Sequence, residues 1–219
     1  VSTPGEKAGD YYDETPLEGD QIKLYRSGTM RLGYVAQDVP LVQYAANKVA
    51  KHMSKPIVGG LNRLKRVARF LKDHPRWQLV YVEQEAVTKM TVRADSDWAQ
   101  DTLDRKSVSS VHVMLGSHLI RSLVSTQTAP ALSSGEAEFV ASVKAGSVAL
   151  GVKSLAKDFG DEIKQITIGT DSGAAKGVLG RVGLGKIRHL DTGLLWIQHY
   201  AAQGVFKVVK EHGPDNSAD

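Results

Sequence analysis

The chain has 219 residues, 42% hydrophobic and 24% charged, with no cysteine and a formal net charge of +4. That length supports one large domain or two small ones. The missing cysteines exclude a disulfide scaffold, a cysteine-ligated zinc or iron–sulfur site and a thiol nucleophile. Apolar runs are only a few residues long and Val1–Asp20 is polar and acidic, so neither a transmembrane span nor a signal peptide is expected; without an initiator Met the sequence reads as a fragment or a processed product. A basic excess of this size makes nucleic acid only a weakly favoured partner.

Residues 1–20, rich in Gly, Pro, Ser, Thr, Asp and Glu, read as a flexible linker. A short helix is predicted around Tyr25–Ala36, then a turn at Asp38-Val39-Pro40. Leu41–Met53 places Leu41, Tyr44, Ala45, Val49 and Met53 near the helical period, and Pro56 with Gly59-Gly60 ends it. Leu61–Leu71 repeats the pattern through Leu61, Leu64, Val67, Ala68 and Leu71. The rest of that helix is covered by Arg63, Lys65, Arg66, Arg69 and Lys72, either a solvated face or one that tracks phosphates.

After Pro75 the texture changes, and this break is the best domain boundary: 21–76 helical, 77–219 α/β. Gln78–Glu83, Val87–Ala94, Val108–Leu115 and Leu119–Ser125 read as strands, the last two joined at Gly116-Ser117 as a hairpin. Ser133 and Glu136 stand at capping-box spacing before a helix to about Phe159, stopped by Gly160. Strand Gln165–Thr170, helix Ser172–Leu179, helix Lys186–Ala202 and strand Val205–Lys210 follow. Antiparallel strands first and crossover units after make an α/β layer.

Four acidic residues stand at element edges: Asp95 at a strand end, Glu138 in the second turn of the long helix, Asp171 after an apolar strand, and Asp219 last in the sequence. A strand-end carboxylate is partly desolvated and repelled by any carboxylate beside it, unless a divalent cation neutralises the group. Hard oxygen donors without cysteine suit Mg²⁺ or Mn²⁺ and disfavour zinc. Each residue alone reads more readily as a turn or cap residue than as a metal ligand, as Asp171 before Ser172 illustrates; it is their order together that favours a metal site.

In order, these motifs resemble a known family. Ala94-Asp95-Ser96-Asp97-Trp98-Ala99 and Asp104-Arg105-Lys106-Ser107 are similar to the start of the ribonuclease H domain in copia-type LTR retrotransposon polyproteins. Ala131-Leu132-Ser133-Ser134-Gly135-Glu136-Ala137-Glu138-Phe139 is close to that family's Ala-Leu-Ser-Ser-Thr-Glu-Ala-Glu-Tyr run. Thr170-Asp171-Ser172 and Lys186-Ile187-Arg188-His189-Leu190-Asp191 follow in order. Upstream, Tyr25-Arg26-Ser27 and the run Leu64–Lys72 resemble the segment joining reverse transcriptase to ribonuclease H, so the resemblance covers roughly Leu24 to Asp219.

The resemblance implies a ribonuclease H-like fold: a mixed five-stranded sheet with its first three strands antiparallel, flanked by helices and preceded by a helical reverse transcriptase connection segment. It implies that Asp95, Glu138, Asp171 and Asp219 bind metal, with Glu136, about 200° round the helix from Glu138, as the cap and Asp97 holding the loop. Cellular ribonucleases H carry a mobile-loop His near the place of His212, thought to help protons move and products leave. The implied activity is hydrolysis of the RNA strand of RNA–DNA hybrids with two Mg²⁺ ions about 4 Å apart, Mn²⁺ substituting. Arg105, Lys106, Lys186 and Arg188 would hold the DNA strand, and Arg66, Arg69 and Lys72 would track the duplex upstream.

An upstream reverse transcriptase is the implied partner, and the location intracellular, in the cytoplasm or within retrotransposon particles; no membrane is involved. The polymerase's Tyr-x-Asp-Asp motif is absent, so polymerisation by this chain alone is excluded. The alternative is a catalytically inactive or domesticated ribonuclease H-like domain that binds nucleic acid or protein. Integrase and transposase cores share the architecture but not the Ser-Ser-x-Glu-Ala-Glu helix start. The family's chains continue past this Ala-Asp into a further apolar segment.

Overall fold

The computed structural model describes residues 1–5, 13–101, 104–185, 187–212 and 216–218. The chain divides into two compact units, Val1–Leu79 and Val80–Asp219.

The first unit packs three helices: α1 (Asp20–Asp38), α2 (Gln43–Ala50) and α3 (Val58–Asp73), with a 3₁₀ turn at Pro40–Val42. Tyr25, Thr29, Leu32 and Ala36 recur at helical spacing and form the buried face of α1. They meet Val42, Val49, Leu61, Val67 and Phe70 in one core. Tyr25 is fully buried, and its hydroxyl donates to the Val49 carbonyl. Gly60 makes room for it, since a Cβ there would lie 2.9 Å from the Tyr25 hydroxyl oxygen. On α3 the stripe is completed by Phe70, whereas Ala68 points outward.

Residues 13–17 are anchored where composition predicts a flexible linker. Leu17 N donates to Pro56 O at 2.9 Å, Val58 N to Thr15 O at 2.8 Å and Gly59 N to Asp13 O at 2.9 Å. The Leu17 side chain joins the helical core, only 4% exposed. A single apolar residue with backbone pairing on both sides is enough to order the stretch.

The second unit is built on five strands: β1 (Lys89–Asp97), β2 (Val108–Leu115), β3 (His118–Thr126), β4 (Gln165–Thr170) and β5 (Phe206–Lys210). Their order across the sheet is β3-β2-β1-β4-β5. β1 pairs antiparallel with β2, and β2 with β3; β1 pairs parallel with β4, and β4 with β5. With its flanking helices this is the ribonuclease H-like arrangement. The hairpin turns at Gly116-Ser117, where Gly116 takes φ 59° as a two-residue turn demands.

Gln78–Glu83, predicted as a strand, is not one. Its neighbourhood is tied to the hairpin by side chains instead of a ladder. The Tyr81 hydroxyl donates to Leu119 O at 3.0 Å, His118 Nε2 lies 2.6 Å from Val82 O, and Gln84 Nε2 donates to Leu115 O at 3.0 Å.

Helix α4 (Ser134–Asp158) lies on β1 and β2 and supplies Phe139, Ala141, Val143, Ala145 and Ala149 to the core beside Val92, Ile166 and Ile168. By length and composition α4 is also apolar enough to cross a membrane. Ser133 Oγ accepts from Glu136 N at 3.2 Å, and Glu136 Oε2 accepts from Leu132 N at 3.0 Å, so the N-terminus is capped from both sides. In its first turn Gly135 approaches helix α5 (Gly173–Leu179) closely: a Cβ at 135 would lie 2.8 Å from the Ala174 Cβ.

The helix predicted over Lys186–Ala202 is shorter. A 3₁₀ turn at Thr192–Leu195 precedes α6 (Trp196–Ala202). Asp191 Oδ1 accepts from Gly193 N at 2.8 Å and starts the turn, while Gly183 and Gly185 hold φ 81° and 59° upstream. Within the predicted span Asp191 is in extended backbone, φ −61° and ψ 121°, and this is what interrupts the helix.

Candidate metal centre

β1 and β4 are parallel neighbours in register Arg93↔Gly169. Two residues further along each, Asp95 and Asp171 therefore emerge side by side at the same end of the sheet. Glu138 approaches from α4, its residue 7% exposed. One carboxylate oxygen from each of Asp95, Glu138 and Asp171 lies within 4.8 Å of the others.

The three charges work against one another. Burial, then the charges of Asp95 and Asp171, push the Glu138 carboxyl up to about 8 from an ordinary 4.5. Two contacts oppose this: Ser96 N donates to Glu138 Oε1 at 2.8 Å, and the Thr170 hydroxyl to Oε2 at 3.4 Å. The donor set is all hard oxygen, half-buried to exposed around one buried member, and it fits Mg²⁺ or Mn²⁺.

Glu136 is not in the cluster. Its carboxylate accepts from Leu132 N and lies 2.9 Å from His189 Nε2. Asp97 accepts from Val108 N and holds the strand-to-loop junction. Asp219 and Lys186 lie outside the described residues. Next to Asp219 in the chain, Asn216 and Ala218 are both 5% exposed. Asn216 Nδ2 donates to Ala94 O at 3.1 Å, and Ala218 N to Asn216 Oδ1 at 3.1 Å. Ser217 Oγ sits 3.4 Å from Arg93 Nη1 and 3.3 Å from His112 Nδ1.

His212 is exposed, two residues beyond β5, and Arg105 and Arg188 are exposed. Lys106 is half-buried, with its N–H on Asp104 Oδ1 at 3.0 Å. In the helical unit Arg69 and Lys72 are exposed, whereas Arg66 donates to Gly5 O and, at 3.3 Å, to Thr3 Oγ1. The sequence reading missed Ser96 and Thr170, although each stands next to an acidic residue of the cluster. It also missed Gln127, whose side chain contacts Ser96 and for which no local signal exists.

No protein-family model matches the chain. The chain is 27% identical, over 197 residues, to the retrovirus-related Pol polyprotein from transposon RE2 of Arabidopsis thaliana, covering 89% of this chain but 14% of the polyprotein. It is 30% identical over 115 residues to an uncharacterized mitochondrial protein of the same plant, covering 52% of this chain and 48% of that protein. Among solved structures it resembles LC11-RNase H1 in complex with RNA/DNA hybrid, at 12% identity and a TM-score of 0.44 over 58% of this chain and 88% of that one. The RE2 relative and a second one, from transposon RE1 of the same plant at 26% identity, are retrovirus-related Pol polyproteins, and the chain spans 13–14% of their length.

Proposed function

We propose that this chain is the ribonuclease H part of a retrotransposon Pol polyprotein and hydrolyses the RNA strand of RNA–DNA hybrids. It would act next to a reverse transcriptase and inside the cell, in the cytoplasm or the retrotransposon particle. The observation that carries this reading is the Asp95, Glu138 and Asp171 cluster at the paired ends of β1 and β4, with Glu138 buried between two like charges.

Asp95, Glu138, Asp171 and Asp219 would hold two divalent cations, which when bound supply Lewis acidity toward a phosphodiester and a more acidic water. The protein's own groups set up that chemistry. The Ser96 N–H and Thr170 hydroxyl fix the Glu138 carboxylate in one orientation. The anchoring of Asn216 on Ala94, next to Asp95, supports Asp219 as the fourth ligand. His212, exposed beyond β5, would help protons move and the product leave. Arg105, Lys106, Lys186 and Arg188 would position the DNA strand through its phosphates, and preference for RNA would come from hydrogen bonds to 2′-hydroxyls.

The test is cleavage of a labelled RNA–DNA hybrid by the whole chain with Mg²⁺, Mn²⁺ or EDTA. Cleavage of the RNA strand alone, abolished by EDTA, is the expected result. A folded protein that binds hybrid yet leaves it intact with either ion would overturn the reading in favour of a binding module.

A further inference from the structure

We infer that Gln127 is a positioning residue for the carboxylate cluster: its buried amide ties β1, β2 and α4 together behind Glu138 and thereby sets how tightly the cluster holds a divalent cation. The inference rests on the proposed function for the identity of that occupant. Gln127 directly follows β3, is 6% exposed, and continues the sheet by donating its N–H to Ser107 O at 2.8 Å. Its side-chain Nε2 faces three oxygens: Ser96 Oγ of β1 at 3.2 Å, Ser109 Oγ of β2 at 2.9 Å and Ala137 O of α4 at 2.9 Å. A carbonyl oxygen only accepts, so the Ala137 contact fixes which way the amide points.

The opposite end of that amide is the telling part. Gln127 Oε1 is buried and meets no donor among the described residues. An unmet buried acceptor is unfavourable, and an apolar side chain of the same length would fill the space without it. What the amide provides instead is a link between the two residues that fix Glu138. Ser96 carries the N–H that donates to Glu138 Oε1 at 2.8 Å, and Ala137 immediately precedes Glu138 in α4. One side chain thus holds both the backbone beneath the ligand and the strand residue that orients its carboxylate. Partners one step behind a metal ligand are worth about 10–100-fold in metal affinity, and Gln127, acting on Glu138 through Ser96 and Ala137, falls at the lower end of that range.

The experiment compares wild type with Gln127→Met, which keeps side-chain length and removes the amide. Mn²⁺ binding to the whole chain is measured by titration calorimetry, and hydrogen exchange of the Ser96 amide is followed by NMR without metal. The variant should bind Mn²⁺ about 10-fold more weakly. Its Ser96 amide should exchange faster while that of Ile168, in the middle of β4, keeps its protection, a contrast that a general loss of stability would not produce. Ser96→Ala keeps the N–H to Glu138 and loses the hydroxyl, with its contacts to Gln127 and, at 3.4 Å, to Asp97 O. It should shift both readouts the same way by less, and it serves as the test should Gln127→Met fail to fold. Unchanged Mn²⁺ affinity and Ser96 exchange in the folded variant would overturn the inference. Wild type that binds Mn²⁺ but cleaves no hybrid would remove the nuclease reading and leave this one standing, while wild type that binds no Mn²⁺ would remove both.

Discussion

The two compact units handle charge in opposite ways. The helical unit spreads Arg63, Lys65, Arg66, Arg69 and Lys72 over α3, outside the stripe formed by Leu61, Val67 and Phe70. Water and local partners, such as Gly5 O on Arg66, are enough for them. The sheet unit gathers Asp95, Glu138 and Asp171 at one end of the sheet, with Glu138 pushed up to about 8. Solvated cations are nearly free thermodynamically, so their presence carries little information about a ligand. Crowded, partly buried anions destabilise the empty fold, and they persist where something else compensates. The acidic cluster therefore speaks to function in a way the basic helix alone does not.

The contrast breaks first at the aspartates. Asp95→Asn or Asp171→Asn should lower metal-dependent hybrid cleavage by about 100-fold or more while circular dichroism is unchanged, because each removes charge that holds the cations. Turnover near wild type in either variant would return the cluster to a structural role.

Glu138→Gln should also lose activity, yet its cation-free form should melt higher, by roughly 1–2 kcal/mol near pH 8 after allowing for solvent at the site. The folded value of about 8 lies above the ordinary 4.5. Between the two the native state binds more protons than the unfolded chain, so wild-type stability falls as pH rises through that window. Thermal melts from pH 4 to 9 without metal should show this slope in wild type and its loss in Glu138→Gln. Added Mg²⁺ should stabilise wild type more than the variant.

At Gly60 and Tyr25 of the helical unit the expected effects are on stability alone. Gly60→Ala forces a methyl to 2.9 Å from the Tyr25 hydroxyl oxygen and should cost about 1–3 kcal/mol in urea unfolding. Tyr25→Phe alone should cost about 1 kcal/mol through removal of the hydrogen bond to Val49 O. The double variant should cost less than the sum, because the clashing oxygen is gone. Additive costs would mean that Gly60 serves something other than Tyr25.

The smallest effect expected is at Arg69 and Lys72. If these exposed cations touch phosphate, replacing both with Gln should flatten the slope of log K against log salt for hybrid binding by about 0.9 for each phosphate no longer neutralised. Identical slopes would leave α3 as scaffold. Arg66 is a poor choice for this test, since its guanidinium already serves the N-terminal segment.

Local signals were the legible ones. Gln165–Thr170 has the predicted bounds because an apolar, β-branched run ends at a residue that caps the next turn. The Ser133 cap and Gly160, at φ 89°, bracket α4 as their residue types require. The hairpin follows from Gly116. Asp95, Glu138 and Asp171 were legible as a group because their order along the chain resembles a family, and parallel pairing then brings two of them together. What was hidden depends on partners far along the chain. Gln78–Glu83 has strand-like composition, but Tyr81 and nearby Gln84 engage the hairpin through side chains. Residues 13–17 lack a hydrophobic pattern and are held by Pro56, Val58 and Gly59. Gln127 touches three elements, none adjacent to it in sequence, and no spacing rule reaches that far.

The close approach of Gly135 to Ala174 bears on which substitutions this sequence accepts. Any side chain at 135 would bring its Cβ to 2.8 Å from the Ala174 Cβ. A Cβ is the base of a side chain and cannot swing aside, so the two positions share one volume. Residues 135 and 174 are thus epistatic. With Gly at 135 a methyl fits at 174, and a β-carbon enters at 135 only if α5 shifts or 174 becomes Gly. A glycine within a helix is unfavourable by about 1 kcal/mol relative to alanine, so the exchange is not neutral at each step. At the start of the cluster-bearing helix, positions 135 and 174 therefore accept substitutions only as a pair.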